Sequence, residues 1–148
     1  FLSEICGKDF RLKENLYDAA QNIDELISLS ANLEILAITL LKISQDLRLL
    51  SSGPNCGFGE LTLPAVQEGS SFFKAKNNPV LPETMMQVSF HVIGNHRAAS
   101  AAYEHAELNL NVFESGAFFH ILDSIEVLSQ ALRLFREKCL AGISVNQE

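Results

Sequence analysis

Basic residues are scarce in this chain, which has eleven Lys and Arg against eighteen Asp and Glu and a formal net charge of −7 over 148 residues. The few cations are scattered along the sequence. A nucleic-acid surface needs them clustered to displace counterions from phosphates, so no nucleic-acid partner is expected, and any anion must be bound locally. Cysteine is also sparse: Cys6, Cys56 and Cys139 are an odd number without metal-ligand spacing. That suits reduced thiols in a cytoplasmic setting better than a disulfide scaffold, each serving packing, with no metal and no cofactor expected. No apolar run reads as long enough to span a bilayer, so no membrane role is expected and the 47% hydrophobic content is assigned to one buried core. Internal repeats and low-complexity tracts are missing, and a strand role is hard to find. Phe1 is preceded by neither an initiator Met nor a signal peptide, which reads as an excised piece of a longer chain.

What the sequence does have is helical periodicity. From about Glu14 to Leu50 the apolar positions Leu26, Leu29, Leu33, Leu36, Leu40, Ile43, Leu47 and Leu50 alternate spacings of three and four, a sustained heptad seam. Ile27, Ile35, Ile38 and Leu41 widen that face beyond a two-stranded seam and predict a helix surrounded by several partners. A second helix is predicted from Pro82 to about Glu107, favoured by the proline start, Glu83 in the first turn and the run Ala98, Ala99, Ala101, Ala102 and Ala106. A third runs from Ser115 to about Leu140, with Phe118, Ile121, Ile125, Leu128, Leu132, Phe135 and Cys139 on one face and Gly142 as its stop. Phe1 to Lys13 gives only a weak helical signal. The expected fold is all-α, a long-helix bundle. His91, His96 and His105 share the second helix, but spacings of five and nine do not stack two ligands on one face, so they are not read as a metal site. His120 is read as a bundle or interface residue.

Between the first two helices lies a long irregular stretch, punctuated by Ser51-Ser52-Gly53-Pro54, Gly57, Gly59, Pro64 and Gly69. Its chemically richest part is Gly69-Ser70-Ser71-Phe72-Phe73-Lys74-Ala75-Lys76-Asn77-Asn78-Pro79. Small donors and an ammonium held between rigid helices can be aimed at an anion there, and a solvated connector is the alternative reading.

GSSFFKAKNNPVLPE resembles the signature GSSxMPxKxNP of the aspartase/fumarase superfamily. DLRLLSSGP at 46–54, GELTLP at 59–64, QVSFHVIGN at 87–95, ELNLNVFE at 107–114 and CLAGISVN at 139–146 resemble its aspartate ammonia-lyase branch. The resemblance runs from about Gln21 onward. It implies a partial central helical domain of a homotetramer whose active sites draw on several subunits, acting on a dicarboxylate: elimination of ammonia from L-aspartate to give fumarate. Ser70 would be the base that removes the proton, held as an alkoxide by amides of its own loop. Lys76 and Asn78 would bind the α-carboxylate, and Ser71 would orient the loop or that carboxylate. Four positions depart from the pattern: Phe73-Lys74 stands where the signature has Met-Pro, Asn55 where an arginine is usual, and Ile23 where QNID would have a threonine. A fumarate hydratase-like lyase and a non-catalytic oligomerisation module descended from such a lyase are the alternatives. The glycine-bearing loop is expected to be the least ordered part of the chain.

Overall fold

The computed structural model describes residues 1–67, 69, 72, 73 and 76–147. Three long helices form the body: α3 (Asp24–Leu50), α4 (Val80–Glu104) and α5 (Glu114–Lys138), preceded by the short α1 (Leu2–Cys6) and α2 (Leu16–Gln21). Helix α4 is the middle element, with α3 and α5 each laid along it. The contacts fix the directions. Ser30 meets His96 and Arg48 meets Glu83, while His91 meets Asp123 and Asn95 meets His120, so α4 runs antiparallel to both neighbours.

The periodic stretch expected as one helix from about 14 to 50 is two. Asn15 caps α2, its side chain accepting from the Tyr17 and Asp18 amides at 3.1 and 3.2 Å. Asn22 then turns extended and donates its side-chain nitrogen to Asp18 at 2.6 Å. The interruption places Ile23, 7% exposed, against Ala99, Ala117 and Ile121 in the smaller of two core clusters. Burying such a side chain stabilises by about 1.5–3 kcal/mol, which outweighs the helical hydrogen bonds lost at one break once caps replace them.

Within α3 the buried line is offset from the leucine seam. Ser30, Ala37 and Ser44 are buried, seven residues apart, with Leu40 and the half-buried Leu26, Leu33 and Leu47 beside them. Leu29, Leu36 and Ile43 stay exposed at 43%, 39% and 42%. Small residues on the buried line let α4 approach closely and present Met85, Val92 and Ala99 to it. Helix α3 is also apolar and long enough to cross a membrane by length and composition, with a mean hydropathy of 1.7, which corrects the expectation that no run reaches that length. A bundle-core helix has the same profile, and α3 buries Ser30, Ser44 and most of Glu34 against α4.

Helix α4 starts at Val80, two residues before the expected Pro82, which fits in the first turn because its missing N–H has no helical partner there. It ends at Glu104 rather than 107. The link to α5 folds on itself through paired Glu107 and Leu110 backbone hydrogen bonds of 3.1 Å. Asn111, 2% exposed, pins that link by donating to the Ala102 carbonyl and accepting from the Phe113 amide. After α5, a turn of 3-10 helix (Leu140–Gly142) leads into β2 (Ser144–Val145), which pairs antiparallel with β1 (Leu61–Thr62). This two-stranded ribbon is the only strand pairing longer than a bridge among the described residues, and no periodicity announced it. Cys139 is buried, as a packing role requires, and burial pushes its thiol pKa up; Cys6 and Cys56 are exposed, contrary to that role.

Candidate functional site

The connection from 51 to 79 is shaped by backbone proximity. Ser52 accepts the Gly59 amide on its carbonyl at 2.8 Å and the Phe58 amide on its hydroxyl at 3.3 Å, folding residues 52–59 into a closed turn over the end of α3. A Cβ at Gly57 would lie 2.3 Å from the Ser52 carbonyl, and Gly59 has φ +62°, so both positions favour glycine. Downstream, the Gly69 amide donates to the Lys76 carbonyl at 2.7 Å and the Asn78 side chain donates to the Gly69 carbonyl at 3.2 Å. These bonds fasten the neck of the serine-bearing loop. A Cβ at Gly69 would meet the Lys76 carbonyl oxygen at 2.2 Å.

The turn, the ribbon and the loop neck enclose a groove of about 750 Å³. Its walls include Ser52 and Pro54 from one stretch, Thr62 from β1, Lys76 and Asn78 from the loop, and Asn146 beyond β2. Of the residues read as functional, Lys76 and Asn78 therefore share one cavity. Ser70 and Ser71 lie outside the described residues, as does Lys74. Lys76 stands 6.0 Å from the Phe73 ring centroid, at the outer limit of a cation–π contact, and among the described residues no acidic side chain pairs with it. Phe72 and Phe73 are 91% and 66% exposed, so neither belongs to the bundle core.

Thr62 and Asn146 were missed as site residues, although both sit in stretches, GELTLP and CLAGISVN, that carry the resemblance. The Asn146 nitrogen donates to the Gly59 carbonyl at 2.5 Å, its oxygen accepts from the Thr62 hydroxyl at 2.7 Å, and its amide donates to the Glu60 carbonyl at 3.0 Å.

The histidines serve the bundle. His96, 8% exposed, bonds Ser30 at 2.9 Å, with Glu34 at 3.5 Å. His91 and Asn95 both engage one oxygen of Asp123, at 2.5 and 2.8 Å, and Asn95 also meets Ser124 and His120. The His91 hydrogen bond first, then that of Asn95, holds the Asp123 carboxyl below the ordinary carboxylate range. Asn22 and Asp24, polar in the sequence, pair locally: Asn22 with Asp18, and Asp24 with the Tyr103 hydroxyl.

A helical bundle whose long inter-helix connection builds a groove around a lysine and an asparagine defines a class. Residues 2–94 match the protein-family model described as Lyase, and the chain belongs to that family, within the aspartase/fumarase superfamily. It is 42% identical over 147 residues to the aspartate ammonia-lyase of a Bacillus species, covering 99% of this chain and 31% of that protein. The class II fumarate hydratase of Thermosynechococcus vestitus is 40% identical over 147 residues, covering 99% and 32%. Among solved structures, a fumarate lyase:delta crystallin from Brucella melitensis superposes with a TM-score of 0.91 at 43% identity, covering 98% of this chain and 34% of that one. The chain thus spans about a third of the length of the relatives it matches.

Proposed function

We propose that this chain is the signature-loop portion of an aspartate ammonia-lyase that interconverts L-aspartate with fumarate and ammonia. The observation that carries the reading is the convergence of separate stretches, 51–54, 59–64, 76–79 and Asn146, on one groove that holds both Lys76 and Asn78. A connector with no ligand would have no reason to bring an amide and an ammonium with no acidic partner among the described residues to the same cavity wall.

In this mechanism Ser70, as alkoxide, takes the proton from the carbon beside the side-chain carboxylate, and charge builds on that carboxylate as ammonia leaves. Lys76 supplies a point charge to the α-carboxylate and Asn78 a hydrogen bond, while Ser71 orients the loop. Gly69 allows the loop neck to close as tightly as its bond to Lys76 requires. Every role is played by side chains and amides of the protein, with further residues drawn from outside this chain and from neighbouring subunits of a cytoplasmic homotetramer. Exposed Phe72 and Phe73 support a loop that works in a groove over one absorbed into a non-catalytic core.

The test is an assay of the full-length protein with L-aspartate, with fumarate plus ammonia, and with malate. Ammonia release, abolished in Ser70→Ala without change in the circular dichroism spectrum, is the expected result. Because the identity to a fumarate hydratase is nearly as high as that to aspartate ammonia-lyases, turnover of malate in place of aspartate transfers the same residues to hydration.

A further inference from the structure

The groove has a wall whose chemistry is at odds with an anionic ligand. Gly59 lines it, and the Gly59 carbonyl is the negative end of a peptide dipole that a dicarboxylate would meet unfavourably. Asn146 caps that carbonyl. A carbonyl oxygen only accepts, so the atom 2.5 Å from it is the Asn146 side-chain nitrogen, and the side-chain oxygen is thereby committed to the Thr62 hydroxyl at 2.7 Å. The backbone of Asn146 is bound to Glu60 and its neighbours Ser144 and Val145 pair with Thr62 and Leu61, so the amide has little freedom to turn away. Behind the ribbon, a Cβ at Gly142 would lie 2.6 Å from Pro64, a packing that sets the distance between the two segments.

We infer that Asn146 is a positioning residue for dicarboxylate binding: it holds the 59–62 wall of the groove that Lys76 and Asn78 also line, and it neutralises the Gly59 carbonyl. This rests on the reading of the groove as a dicarboxylate site. The role is electrostatic as well as mechanical. Alanine at 146 frees the carbonyl dipole, whereas aspartate, of the same shape, still accepts from Thr62 but sets a carboxylate against the Gly59 oxygen and adds a negative charge to the groove.

The experiment compares the unsubstituted full-length protein with Asn146→Ala, Asn146→Asp and Thr62→Val. Turnover of L-aspartate and calorimetric titration with fumarate are measured at low and high salt. Asn146→Ala is expected to raise KM and the fumarate Kd about fivefold, the scale of one hydrogen bond, with kcat within about twofold. Asn146→Asp is expected to raise both by at least about tenfold, with a penalty that shrinks as salt screens the added charge. Thr62→Val, which keeps the cap on Gly59, is expected to change them by less than the alanine variant. Equal KM and Kd in all four proteins, or an aspartate variant no worse than alanine and insensitive to salt, overturns the inference while leaving the lyase reading intact. An unsubstituted protein that neither turns over nor binds a dicarboxylate overturns both.

Discussion

At the scale of single residues, the groove separates groups that bind from groups that hold. Lys76 is exposed and unpaired among the described residues, the condition in which an ammonium retains its full interaction for an incoming carboxylate. Lys76→Met in the full-length protein is therefore expected to raise KM and lower kcat together, by at least about tenfold in kcat/KM, since the carboxylate is held in ground and transition states alike. An unchanged KM would reduce Lys76 to a surface lysine. Ser44 is a different case: its buried hydroxyl is, among the described residues, the one buried side-chain polar atom without a hydrogen-bond partner. Ser44→Ala removes that cost and keeps the shape of the α3–α4 contact, so it is expected to stabilise the fold by up to about 1 kcal/mol, read as a higher Tm. A lower Tm would mean the hydroxyl is satisfied in solution.

At the scale of elements, the helices were legible in the sequence and their registers were not. Periodicity located α3 and α5, because apolar spacing of three and four is written directly in the residues, and α4 was marked by its proline start, Glu83 and its alanine run. It could not say which of several apolar stripes on α3 faces α4. The choice fell to Ser30, Ala37 and Ser44, because close helix approach favours small residues over leucine at the contact line. The break at Asn22 was hidden for a similar reason: helix propensity is local, and the advantage of burying Ile23 comes from residues about eighty to a hundred positions away. The loop residues Lys76 and Asn78 were visible through the signature pattern, whereas Asn146 became a groove residue only when β2 paired with β1. The α4–α5 seam adds a test of electrostatics. Asp123 is held below its ordinary pKa by His91 and Asn95, so its contribution to stability is complete above the unfolded carboxylate value and disappears as pH falls through the lowered folded one. The difference in Tm between the natural protein and Asp123→Asn is accordingly expected to be largest near neutral pH and to shrink as acidification below the ordinary carboxylate range protonates the folded carboxyl. A difference that persists after that protonation would assign the loss to packing.

At the scale of the whole molecule, the bundle leaves more apolar surface exposed than three helices can cover. On α3, Ile35, Ile38 and Leu49 are 62%, 50% and 52% exposed, alongside Leu29, Leu36 and Ile43. On α5, Phe119 and Leu122 are 67% and 61% exposed, and Phe90 of α4 is 54% exposed. These positions lie on helix faces turned away from the internal contacts, so burying them requires other helices. Left in water, this much apolar surface would drive aggregation, and an ordered alternative is association with helices of matching pattern. The chain is expected to self-associate, with the tetramer as the end state, and a charge placed on the outer face of α3 should oppose it: Ile35→Glu with Ile38→Glu leaves the α3–α4 core line untouched while making each interface bury carboxylates without partners. Light scattering is expected to report an oligomer for the natural protein at micromolar concentration and a smaller species, of equal helix content, for the double variant. A natural chain that is a stable, well-folded monomer at that concentration would show that its exposed leucines, isoleucines and phenylalanines are tolerated in water, and would remove the physical reason for placing α3 inside a larger bundle.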